Sequence, residues 1–332
     1  MSRPELEACL EGLHSGGELD SSGAFTLTRE KAVEKLRSFR LAEPRLYVLN
    51  LLAAAVAGGA GRIEIECDSD DFVLTAPGIS VSLYQLRELE SHMLSEGSPA
   101  LLRELGVGFY GAQALRPQRI VVEARTPDRG LRICWRAGRL EEEEVPAGPA
   151  ALTVRVREKV GLRTAGKWIA RCTGATRPDS EEDAIARHCN LAPVPVLING
   201  NPLVRPLSAG NVEASIGFRD DAPLNAGHPL SQLFQSTRLQ ALLQPTGGPF
   251  RGFLCLGGRL GPWLTLVVHG VSFRVATRSF PARGVRGIVY ADHLHKDLSQ
   301  TRVVQDSAFL ELMDRLFEFC RSWLAPRGGA HR

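Results

Sequence analysis

The stretch LRELGVGFYGAQAL, residues 102–115, decides how this chain is to be read. Gly106 and Gly108 stand between a short helical pattern and the apolar start of another. Gly-x-Gly opening a helix presents backbone N–H groups that cradle phosphate. The same pair inside a helix has a plainer use, since a residue without Cβ lets two helices approach closely. A lone Gly-x-Gly does not choose between the two, so the choice falls to its surroundings.

Upstream runs PRLYVLNLLAAAVAGGAGRIEIE, residues 44–66. Pro44 suits the first turn of a helix and Gly58–Gly59 its end. Between Leu46 and Ala57 the polar residue is Asn50, and a helix apolar nearly all round is a buried one. RIEIEC (62–67) and FVLTA (72–76) read as a hairpin, PGISVS as a turn, and LYQLRELESHML (83–94) as helix. Downstream, RIVVEAR (119–125), LRICWRAG (131–138) and LTVRVRE (152–158) alternate as strands. TPDRG joins the first two, and the acidic EEEEVPAGP is expected to be a solvated turn joining the others. Helices follow at 164–173 and 180–191, then a hairpin around the Asn-Gly pair in VPVLINGNPLVRP (194–206). At the N-terminus, GAFTLT (23–28) reads as a strand entering the helix REKAVEKLRSF. The last third holds the strands FRGFLCLGG, WLTLVVHGVSFRVA and VRGIVYADHL, and the helix DSAFLELMDRLFEFCRSWL (306–324).

Composition excludes several classes. The 332 residues are 44% hydrophobic and 23% charged, which fits neither a disordered nor a membrane-embedded chain. A formal charge of +3 is too small to argue for nucleic acid. MSRPELEACLEGLH is acidic and amphipathic, unlike a signal peptide. The seven cysteines form no Cys-x-x-Cys and are expected to be reduced, buried thiols of a cytoplasmic protein. His293 and His295, and likewise His188 beside Cys189, lack a second cluster of ligands, so no metal site is expected.

The element order, with its buried helix and Gly-x-Gly helix, resembles the GHKL (Bergerat-fold) ATPases: the 90-kDa heat-shock chaperones, gyrase B, MutL and histidine kinases. ELGVGFYGAQAL…RIVVEAR resembles the chaperones' glycine motif and the strand after it. AIARHCNLAPVPVLING resembles the helix and strand ending their nucleotide domain, and FPARGVRGIVYADHLHKDLSQ resembles part of their middle domain. The resemblance implies an α+β fold, a two-layer α/β sandwich of the GHKL type followed by a smaller α/β middle-type domain. It divides the chain into an N-terminal helix (1–20), a GHKL-like domain (21–205) and a chaperone middle-domain-like part (206–332). The chaperones' C-terminal dimerisation domain has no counterpart, which implies a monomer or weak dimer. Any self-association would use another surface, such as the apolar excess on the 306–324 helix.

The family's chemistry then fails residue by residue. Its base Glu, magnesium-binding Asn and further Asp lie at i, i+4 and i+7 on one face of the buried helix. The matching positions here are Asn50, Ala54 and Ala57. An amide is no base at neutral pH, and a methyl group offers magnesium no oxygen. The adenine-reading Asp is matched by Ala76. Gly78 remains, and Ser80 stands for the next glycine. In the phosphate loop Gly106, Gly108 and Phe109 remain, but Arg103 replaces a glycine. The Gly-Thr of the last strand is matched by Ala151–Leu152, and the arginine that reaches the γ-phosphate by Gln300. Losing the adenine contact and the metal ligand costs about 3–6 kcal/mol. A micromolar site would become roughly millimolar.

The expectation is a catalytically inactive, chaperone-like pseudo-ATPase that binds proteins, with no cofactor and a vestigial pocket that is either an apolar cleft or filled core. The alternative is a weak ATP- and magnesium-dependent chaperone using Glu43, Arg103 or Arg302. A DNA-processing module like MutL is a third reading, disfavoured because no basic cluster stands out.

Overall fold

The apolar run after Pro44 folds as its composition dictates. A 3₁₀ turn at Pro44–Leu46 leads into helix α1 (Tyr47–Ala57), buried along nearly its whole length. The computed structural model describes residues 43–95, 97–173, 180–203, 212–221, 223–224, 227–234, 243–257, 263–276, 280–282, 284–297 and 301–324. The expected helix 1–20, the strand 23–28, the helix that follows it and the proposed boundary at 205/206 lie outside these residues.

Strands β1 (Ile63–Cys67) and β2 (Asp71–Pro77) pair antiparallel, as the alternation requires. β2, β3 (Arg119–Arg125) and β6 (Ala151–Arg157) each bury every second residue. Their registers stack these residues in three rows: Phe72–Val156–Ile120, Leu74–Val154–Val122 and Ala76–Leu152–Ala124. This apolar face packs under the helices, while the other face carries Thr75, Thr153, Glu123 and Arg155. With β4 (Gly130–Arg136), β5 (Arg139–Val145), β7 (Val196–Ile198) and β8 (Asn201–Pro202) the sheet has eight strands, ordered β5-β4-β3-β6-β2-β1-β7-β8. The Asn-Gly hairpin forms as expected, with Asn199 and Gly200 both at positive φ.

Three readings need correction. The glutamate run is not a turn: it forms β5, the edge strand. Charged side chains suit an edge because they discourage further pairing. Glu143 meets Arg132 at 2.9 Å, and Glu142 meets Arg87 at 2.8 Å. The 83–94 helix is two, α2 (Leu83–Arg87), capped by Ser82 and Gln85, and α3 (Leu89–Leu94), with the break at Glu88. The third concerns the opening glycines. Helix α4 (Ala100–Gln113) runs unbroken through Gly106 and Gly108.

Helices α5 (Leu162–Thr173) and α6 (Glu181–His188) follow β6. The second sheet has six strands, β9 (Val212–Arg219), β10 (Leu243–Pro245), β11 (Arg251–Gly257), β12 (Trp263–Val268), β13 (Val271–Ala276) and β14 (Val285–Tyr290), ordered β10-β9-β11-β14-β12-β13. The 263–276 run is thus two strands turning at His269–Gly270. A short helix, α7 (Pro229–Phe234), lies between β9 and β10. Helix α8 (Ser307–Phe319) buries Phe309, Leu312, Met313 and Leu316, stacks Phe319 on Phe218 at 5.2 Å and sets Phe317 edge-on to Phe280 at 4.7 Å. Its apolar excess is therefore largely covered by the second sheet's own core. One apolar cluster runs from Ile63 and Leu74 through α1 to Phe218, Leu254 and Val289, so the two sheets share a core. Among the described residues the chain is of mixed α+β class with two sheets. No helix among the described residues is long and apolar enough to cross a membrane.

Candidate functional site

The residues matched to the family's nucleotide pocket lie on α1, at the end of β2, on β6 and along α4. On α1, Asn50 and Ala54 have no accessible surface, and Ala57 is half-buried one turn on. Ala76 on β2 and its cross-strand partner Leu152 on β6 are equally inaccessible, and Phe109 on α4 nearly so. Zero accessible surface leaves no water-sized space against these side chains. These positions are filled core and not an open cleft. Gly78 is exposed at positive φ just past β2, where its conformation serves the turn. Gln300 lies outside the described residues.

Gly106 and Gly108 do not open a helix. The helix starts six residues earlier, at Ala100, so their N–H groups lie within it and do not face a ligand. Packing explains both. A Cβ on Gly108 would fall 2.6 Å from Leu51 Cδ2 and 3.2 Å from the Leu51 nitrogen. One on Gly106 would lie 3.1 Å from the Leu89 carbonyl oxygen and 3.2 Å from Met93 Cβ. The glycines let α4 approach α1 on one side and α3 on the other.

Glu43 is exposed and bridges Arg45 at 2.6 Å. The Arg302 backbone N–H donates to Asp297 Oδ1 at 3.1 Å. Arg103 is half-buried beside Glu104, which meets Lys296 at 3.0 Å in an ion pair nearly closed to solvent. The two histidine pairs divide between unrelated tasks. His295 holds Asp306 at 2.6 Å, and Asp306 caps α8 by accepting the Phe309 N–H. The His295 hydrogen bond, then the cap, hold the Asp306 carboxyl below its ordinary range. His293 faces the Pro249 carbonyl. Burial lowers the His188 pKa and pushes the Cys189 thiol up to about 12, so this thiol is inert. Cys67, Cys255 and Cys320 are buried as expected. Cys134 is only half-buried and Cys172 is exposed, which the sequence reading missed.

Sequence reasoning also missed the buried polar groups of the second sheet. His228 accepts the Leu230 N–H on Nδ1 at 3.1 Å and packs against the Tyr290 ring at 4.5 Å. With Asp220, Arg251 and Asp292 these residues line a cleft of about 250 Å³. His-Pro at 228–229 and the Asp-Asp pair at 220–221 were the only signals, and neither has a distinctive spacing.

The positions that the resemblance matches to the base, the metal ligand and the adenine reader hold one amide and two methyl groups, closed to solvent. These residues do not fit magnesium or a nucleotide. No protein-family model matches the chain, and no curated protein sequence matches it.

Proposed function

We propose that this chain is a catalytically inactive protein of GHKL type, resembling the N-terminal and middle domains of 90-kDa heat-shock chaperones, that acts through protein–protein contacts. The observation that carries this reading is the packing of Asn50, Ala54, Ala76 and Leu152 at zero accessible surface. Binding a nucleotide there would mean opening a close-packed core and placing phosphate and adenine against groups that cannot pair with them. Each unpaired buried polar contact costs about 1–3 kcal/mol, and charged groups more. An element order that resembles an ATPase's, without the polar groups of its site, suits a scaffold that presents surfaces.

The test is calorimetric titration of the purified protein with Mg-ATP, alongside a phosphate-release assay. The expected result is no turnover and no binding tighter than about millimolar. Micromolar affinity overturns the reading.

A further inference from the structure

The polar face of the first sheet gathers arginines that the sequence scatters. In register, Arg157 on β6 faces Arg119 on β3, and Arg136 on β4 faces Arg139 on β5. Ile120 pairs with Trp135, which sets Arg136 directly beside Arg119. Four arginines on four neighbouring strands thus stand at one level, about 5 Å apart from strand to strand. Arg155, two residues before Arg157, shares their side of the sheet, away from the buried Val154 and Val156.

Most carboxylates on this side are already taken. Glu123 meets Arg125 and Arg132, and Glu143 meets Arg132. Asp70 and Asp71 hold Arg157 at 3.3 and 3.7 Å. Arg119, Arg136, Arg139 and Arg155 have no ion partner among the described residues, and Glu141 is the carboxylate of β5 left on their side. The Arg119 Nε–H is closed to solvent and has no acceptor. Like charges directly opposite one another destabilise a sheet, and an unpaired buried donor adds to the cost. Arg119, Arg155, Thr153 and Glu141 line a cleft of about 800 Å³ over this face. Such a breach of local pairing rules marks a functional surface when a ligand would relieve it.

We infer that this face binds an acidic segment of a partner protein, its carboxylates laid along the Arg139–Arg136–Arg119 row and reaching Arg155. A guanidinium fork takes a carboxylate through two parallel N–H donors, and strands hold these forks in a fixed row. Nucleic acid fits less well. A bound single strand stacks its bases on aromatic rings, whereas Val121, Cys134 and Thr153 line the cleft between the arginines. Glu141 and Glu143, in the same cleft, repel a backbone charged at every step, but a protein segment can set a neutral or basic residue against them. The inference rests on the reading that the chain works through protein contacts, and adds the surface and the partner's chemistry. The two fail separately, because Mg-ATP affinity bears on the filled pocket alone and no ATP enters the test of this face.

Fluorescence anisotropy with labelled decaglutamate decides it, with decalysine and oligo-dT of the same length as comparison probes. Arg136 and Arg155 are exposed, so Arg136→Gln and Arg155→Gln spare the core, and matched thermal unfolding verifies that each variant folds. Decaglutamate is expected to bind at low salt and to be released by added salt, while decalysine stays free. Each variant should weaken binding about two- to fivefold, as solvent-exposed ion pairs do, and the double variant about tenfold. Glu141→Gln should bind more tightly. Arg321→Gln, which removes the same charge at an exposed position beyond α8, should bind like wild type. No decaglutamate binding at low salt overturns the proposal, as does unchanged affinity in the double variant. Equal weakening by Arg321→Gln also overturns it, since net charge would then be the whole effect. Oligo-dT bound more tightly than decaglutamate, and lost in the same variants, would make this a nucleic-acid face instead.

Discussion

Asn50 has both polar atoms of its amide buried with no hydrogen-bond partner, at a residue with zero accessible surface. An unsatisfied buried amide costs about 1–3 kcal/mol, which offsets the cost of the space left by three missing heavy atoms. Asn50→Ala is therefore expected to leave the protein as stable or about 1 kcal/mol more stable, read from chemical denaturation. A loss above 1 kcal/mol would mean that the amide has a partner, such as a buried water. His228 behaves differently because its partner is present. Burial first, and then the Arg251 charge, push its pKa down from 6.5 to about 4. The folded value lies below the unfolded one, so the unfolded chain takes up this proton first. The native state keeps its full stability above pH 6.5 and loses it as pH falls from 6.5 toward 4, by about 3 kcal/mol in all. Burial also lowers the pKa of His188 and His269, which act in the same direction. His228→Phe should flatten the dependence of unfolding temperature on pH across that window. An unchanged slope would show that the ring protonates without cost in the fold.

Among the elements, α4 depends most on what it lacks. Gly108→Ala would gain about 1 kcal/mol of helix propensity in an isolated helix. Here the new methyl group would lie 2.6 Å from Leu51 Cδ2 and close to the Leu51 backbone nitrogen, which cannot swing away. Overpacking of this kind costs about 1–3 kcal/mol. The net expectation is a loss of roughly 1 kcal/mol, seen as a lower denaturation midpoint at an unchanged slope. A stabilised Gly108→Ala variant would mean that α1 and α4 are less tightly apposed. α5 makes the opposite point, since an element can be fixed by its charged residue and leave its apolar stripe exposed.

At the scale of the whole molecule, the two sheets are joined by a shared core and by one buried ion pair across 192 residues of sequence. Glu104 on α4 meets Lys296, which follows β14, at 3.0 Å with both side chains almost inaccessible. Nearby, the β12–β13 turn docks on α1: a Cβ on Gly270 would lie 3.0 Å from Val56 Cγ2, and Asp292 accepts the His269 N–H at 2.6 Å. Lys296→Met alone leaves the Glu104 carboxylate buried and unpaired, with an expected loss of about 3–5 kcal/mol. Adding Glu104→Leu should recover most of that loss in a double-mutant cycle. If the two single losses simply add, the pair is not coupled and the join rests on apolar packing alone.

The local code was readable from sequence where one physical signal dominated. Pro44 and Gly58 bracket α1, the period-2 alternation marks β2, β3 and β6, and Asn199–Gly200 marks a hairpin, because each reflects backbone geometry that neighbouring residues dictate. The apolar character of α1 likewise foretold its burial. Tertiary structure decided the rest. Gly-Val-Gly reads the same at a helix start as inside one, and only the approach of Leu51 and Leu89 explains why Gly108 and Gly106 have no side chains. Four glutamates read as a solvated turn until β4 supplies the backbone hydrogen bonds that make them an edge strand. α5 reads simply as a helix. Whether its apolar stripe faces the core or the solvent depends on Lys167 finding Glu158, nine residues before it, and Glu181, fourteen after. Periodicity reports that a helix has two faces, whereas long-range pairing determines which of them is buried.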